Sequence, residues 1–111
     1  MDKQTESKIQ ELQMLEQNLQ NSFLQKQNFQ AKLLENENAI KEIKDIKGES
    51  YKIIGTIMVL KNNEELKEEL NSEKEIVELR IKSIEKQENK IKEKMEEIQK
   101  EVMKQLEKDD K

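Results

Sequence analysis

The chain has 111 residues, 41% of them charged and 32% hydrophobic, with two Phe, one Tyr and no Trp, Cys or His. A chain of this length and composition makes one domain or one elongated unit, without the aromatics for a thick globular core. A net charge of −4 with Lys and Glu interleaved speaks against a dedicated nucleic-acid surface, and the missing Cys and His exclude a disulfide framework and the commonest zinc ligands and general base.

The same composition would suit a disordered chain, so periodicity has to decide. The N-terminal stretch MDKQTESKIQELQ has no signal-peptide character, and no apolar run approaches the ~20 residues of a membrane span. The expectation is a soluble cytoplasmic protein.

The first element is a helix expected over about residues 6–46. With no proline in the chain, nothing interrupts it. Its seam runs Leu12, Leu15, Leu19, Ser22, Lys26, Phe29, Leu33, Asn36, Ile40 and Ile43, in alternating steps of three and four. A 3.5-residue period held over several heptads is the mark of a coiled coil, and disorder does not produce it. Gly48 is the expected stop, because glycine takes the left-handed conformation at a helix C-terminus.

An apolar island follows, Tyr51 to Leu60, and it reads as two strands. Tyr, Val and repeated Ile favour extended chain, and the stretch is too short for another long helix. Gly55-Thr56 at its centre suits a two-residue type II′ turn. That register pairs Ile54 with Ile57, Ile53 with Met58, Lys52 with Val59 and Tyr51 with Leu60. Tyr51, Ile53, Met58 and Leu60 then make one face; Ile54, Ile57 and Val59 make most of the other. A lone hairpin is marginal in water and its edges invite pairing. The island is expected to be an assembly joint, with Tyr51, Ile53, Ile54, Gly55, Ile57, Met58, Val59 and Leu60 as its residues. The blander reading is a hydrophobic plug that merely turns the chain around.

The second helix is expected over about 63–108, with Asn62 as N-cap and Glu65 as its capping partner. Its seam is Leu70, Lys74, Val77, Ile81, Ile84, Glu88, Ile91, Met95, Ile98, Val102 and Gln105. Glu78–Lys82, Glu88–Lys92 and Glu96–Lys100 are spaced for i,i+4 ion pairs. Arg80, Lys82, Lys86, Lys90, Lys92 and Lys94 are diluted by Glu85, Glu88 and Glu93, and read as a solvated face rather than a phosphate site. The two helices, each about 60–70 Å long, should run antiparallel about residue 55, with Ile43 near Leu66 and Leu12 near Ile98. Ile9, Met14, Met103 and Leu106 fall off the seam where the termini meet. With Leu12 and Val102 they form a candidate tip surface, against the alternative of frayed helix ends.

With two glycines and no nucleophile motif or desolvated acid pair, no catalytic, cofactor or metal site is expected. Binding classes remain: a structural coiled-coil scaffold or tether, an adaptor with a basic face, or an oligomer joined at its hairpin with spare apolar surface at its tip.

Particular residues favour the last. Tyr51, Lys52, Gly55, Met58 and Val59 in the island resemble the hairpin of beta-class prefoldin chaperone subunits, among them the eukaryotic subunit numbered six. Glu64-Glu65-Leu66, the run Glu78-Leu79-Arg80-Ile81-Lys82 and IEKQE from Ile84 to Glu88 fit the same family, so the likeness covers Tyr51 to Ile98. It implies one prefoldin-like unit over residues 1–111: a mainly α fold in which a long antiparallel two-helix coiled coil is joined by a β-hairpin. It also implies a hexamer of two alpha-class and four beta-class subunits built on hairpin barrels. The coiled-coil tips would hold unfolded proteins, actin and tubulin among eukaryotic clients, and deliver them without ATP to a cytosolic group II chaperonin. No nucleic acid, membrane or cofactor enters.

Overall fold

The computed structural model describes residues 2–109. In chain order it contains helix α1 (Lys3–Ile43), strands β1 (Glu49–Ile54) and β2 (Ile57–Asn62), and helix α2 (Asn63–Asp109). The chain divides into two compact units. One is the tip unit, residues up to Gln27 with those from Lys82 onward; the other is the hairpin unit, Asn28–Ile81.

In the tip unit the start of α1 lies beside the end of α2. Every expected seam position here is buried or half-buried, and Ile84, Ile98 and Val102 are the buried apolar residues of α2. The seam also reaches further than its pattern suggested, because Thr5 is buried. Asp2 caps α1: its Oδ1 accepts the Thr5 backbone N–H at 2.7 Å, and its carbonyl accepts that of Glu6 at 3.1 Å. Ion pairs stitch the helices together, Lys8 to Glu101 at 3.0 Å and Lys94 to Glu11 at 3.4 Å. The two charged seam positions meet each other, with Lys26 Nζ 2.7 Å from Glu88 Oε1.

The expected i,i+4 pairs of α2 are not the ones formed among the described residues. Glu88 turns inward to Lys26 instead of along the surface to Lys92. Glu78 lies 3.9 Å from Lys74 rather than pairing with Lys82. A seam position gives Glu88 a partner shielded from water, whereas an exposed pair gains little.

The hairpin unit is closed by Ile43, Leu66, Val77 and Ile81, all buried. Arg80 covers the Phe29 ring, 5.7 Å from its centroid. The antiparallel register of β1 and β2 is the expected one, from Glu49↔Asn62 to Ile54↔Ile57, and extends beyond Tyr51–Leu60 by two pairs. Gly55 has φ +62° while Thr56 does not have positive φ, the combination a type II′ turn requires.

The first helix ends at Ile43, not 46. Ile46 N–H bonds the Ile43 carbonyl at 3.3 Å, a tightened last turn that leaves Lys44–Lys47 outside both helix and strand. Gly48, with φ +105°, is the entry to β1 rather than the stop of α1. Asn62 does cap α2, accepting the Glu64 N–H at 2.8 Å, but Glu65 returns no bond among the described residues.

The residue that organises this corner is Asn63, which is fully buried. Its N–H donates to the Gly48 carbonyl and its Nδ2 to the Ile46 carbonyl, both at 2.9 Å. Two otherwise orphaned carbonyls of the connector are thereby satisfied from the first residue of α2, so the exit from α1 and the start of α2 are held as one piece. Its Oδ1 has no partner among the described residues.

Candidate functional site

Two surfaces stand out, one in each unit. In the hairpin unit, Tyr51, Ile53, Met58 and Leu60 occupy the same face of the β1–β2 ladder, and each is more than half exposed. Cross-strand pairing places Tyr51 beside Leu60 and Ile53 beside Met58, so the four side chains form one continuous apolar sheet face. The opposite face differs along its length. Ser50, Lys52, Val59 and Lys61 are half-buried, whereas Ile54 and Ile57, next to the turn at Gly55, are exposed.

The half-buried stretch is covered from α2. Glu69 Oε2 accepts a hydrogen bond from Lys52 Nζ at 2.8 Å, and Glu69 Oε1 accepts one from Lys61 Nζ. The Lys52 and Lys61 ammoniums hold the Glu69 carboxyl below its usual range, and Glu69 in turn raises Lys52. Sequence reasoning passed over this group. Its signal was the pair Lys52 and Lys61 among the strand aliphatics, which the register puts on one face and which therefore needs an acid opposite.

The tip surface comes out narrower than expected. Met14, Met103 and Leu106 are exposed, Ile9 and Leu12 are half-buried, and Val102, only 8% exposed, belongs to the core. Ile9 is therefore partly spent on packing rather than free of the seam. Val102 cannot serve as free surface while the helices stay paired.

The helices also expose apolar residues that the sequence reading left out: Phe23, Leu24, Leu34, Ile76 and Leu79. The signal was available, since none occupies a seam position. Lys26 lies over the Phe23 ring at 6.0 Å from its centroid.

The family model described as prefoldin subunit matches residues 6–109. The chain belongs to the prefoldin family, in its beta class. It is 35% identical over 92 residues to prefoldin subunit beta of Archaeoglobus fulgidus, covering 81% of this chain and 79% of that one. Prefoldin subunit beta of Pyrococcus furiosus is 34% identical over the same shares. The crystal structure of the prefoldin beta subunit from Thermococcus strain KS-1 matches with a TM-score of 0.86 at 30% identity, over 95% of this chain and 94% of that one. The single hairpin between two long helices is thus a prefoldin beta architecture. The role that goes with it is that of a chaperone subunit in an oligomeric prefoldin complex. Within the described residues of this prefoldin chain, no helix is long and apolar enough to cross a membrane.

Proposed function

We propose that the whole chain acts as one prefoldin beta unit in a cytoplasmic hexamer with alpha-class and other beta-class subunits. It joins them through the hairpin, holds unfolded proteins at its tip without ATP, and passes them to a group II chaperonin. The observation that carries this reading is the apolar face of Tyr51, Ile53, Met58 and Leu60, left open by a helix that covers only the other side. Such a face is covered when a neighbouring subunit packs a matching apolar surface against it. The exposed Met14, Met103 and Leu106 support client holding in the tip unit, because flexible, polarizable methionine adapts to varied apolar segments.

The test pairs two measurements on the assembled complex. Protection of a denatured client, actin or tubulin among them, is read by light scattering, and handover by transfer of labelled client to a group II chaperonin. The reading expects both, without nucleotide consumed by the prefoldin complex. A hexamer that forms but leaves the client to aggregate would reduce the role to scaffolding.

A further inference from the structure

The hairpin has apolar residues on both faces, so something must decide which face meets the partner. Tyr51, Ile53, Met58 and Leu60 line one; Ile54, Ile57 and Val59 line the other. A two-stranded ribbon has little intrinsic stability to choose with. The connector before it, Lys44–Lys47, is neither helix nor strand, and Asn63 fixes the base of the ribbon rather than its blade.

The faces differ in charge. Lys52 lies opposite Val59 in the register, and Lys61, opposite Ser50, lies two residues further toward the base on the same face. One carboxylate, Glu69, engages both lysines, each through a separate oxygen. To bridge ammoniums on two different strands it must lie over the face they share. Of the nearby acids of α2, Glu64 faces Lys67 at 3.4 Å instead.

We infer that Glu69 is the positioning residue of the assembly joint: with Lys52 and Lys61 it latches the lysine face of the hairpin onto α2, so that the Tyr51–Ile53–Met58–Leu60 face is the one offered to a neighbouring subunit. This rests on the proposal that the hairpin is the joint. The latch makes no contact with the partner. It selects by orienting the ribbon, and it leaves Ile54 and Ile57, beyond its reach, exposed at the turn. Three side chains, 24% to 34% exposed, are open enough to salt for the latch to be screened.

The experiment compares the wild-type chain, E69Q, the charge exchange K52E/K61E/E69K and the joint variant I53D/M58D. Lysine acetylation followed by mass spectrometry reads the latch, and sedimentation with the partner subunits reads assembly. In the wild type, Lys52 and Lys61 should acetylate more slowly than exposed Lys86, and E69Q should remove that protection. E69Q should also weaken assembly by roughly tenfold, as two screened ion pairs allow, with helicity unchanged. The charge exchange should restore assembly, which a purely local role of Glu69 in helix stability would not. Equal reactivity of Lys52, Lys61 and Lys86 in the wild type overturns the latch. So does full assembly of E69Q when I53D/M58D fails to assemble. If I53D/M58D itself assembles normally, the hairpin is not the joint, and the inference goes down with that separate failure.

Discussion

The hairpin unit and the tip unit both leave apolar surface in water, but they do it in opposite ways. In the hairpin the exposed residues are set by a β-ladder into one patterned face, Tyr51 against Leu60 and Ile53 against Met58. In the tip unit they are side chains on helices whose seam is already filled, Met14, Phe23, Leu24, Met103 and Leu106, two of the five being methionines. A patterned face selects a partner of matching geometry, whereas scattered flexible residues accept many partners weakly. On the proposed function, the first surface meets a fixed neighbour and the second meets changing ones.

The comparison breaks most visibly at the hairpin. I53D/M58D would put unpaired charge into the exposed sheet face that the proposed assembly covers, at a cost of several kcal/mol to that assembly. Oligomers should disappear in sedimentation while circular dichroism keeps the helical signal. Unchanged oligomers would leave the hairpin as a mere turn.

The next effect lies in the tip unit and concerns the rods rather than their surfaces. E88A strands Lys26, itself only a fifth exposed, and should cost about 3 kcal/mol, the lower end for a buried pair. The double variant K26L/E88L should recover or exceed wild-type melting temperature. If E88A alone melts like the wild type, the pair does not hold the seam.

Smaller still is the effect of M14S/M103S/L106S. Each residue can offer a client ~1.5–3 kcal/mol when fully buried. Holding at the tip, as proposed, therefore depends on several tips acting together. The hexamer should persist while a denatured client aggregates faster; undiminished protection would move the client site to exposed residues along the rods, Phe23, Leu24, Leu34, Ile76 and Leu79. Adding I9S to the triple variant should cost some stability as well, because Ile9 is half-buried.

The smallest effect is at Asp2. The Thr5 backbone N–H, then the Thr5 side chain, holds its carboxyl below the usual range, with Lys8 nearby in the same sense. A depressed folded-state pKa contributes stability above the ordinary carboxylate range, and the contribution is lost as pH falls through the depressed value. Protection of the first-turn amides of α1, relative to intrinsic exchange at the same pH, should fall in acid, while D2A should show that lower protection already at neutral pH. An acid-insensitive first turn would remove the cap from the account.

The long-period features of the fold were legible in the sequence. Seam spacing placed Val77, Ile81, Ile84 and Ile98 in the core, and Gly55 set the register of the hairpin. What escaped depends on contacts between segments rather than on spacing within one. No local pattern ends α1 at Ile43, because the connector beyond it is held by the Asn63 side chain from across the hairpin. Glu69 looks like any other surface glutamate of α2 until the strands bring Lys52 and Lys61 to it. At the tip, heptad counting placed Ile9 outside the seam, yet the side chains flanking a helix seam are partly covered too.

The ion pair between Lys8 and Glu101 joins positions far apart in sequence, and this governs how the chain acquires its structure. Bringing such distant segments together directly carries a large loop-closure entropy, so pairing is favoured to start at the turn and proceed like a zip toward the termini. Without proline there is no isomerisation step to delay it. On the ribosome, however, the zip cannot run until α2 exists. At ~5–20 residues per second that second helix takes about 2–10 s to emerge, and throughout that interval Leu12, Leu15 and Leu19 have nothing to pack against. Each newly made copy therefore passes through a period in which its own apolar seam is as uncovered as that of any incompletely folded protein.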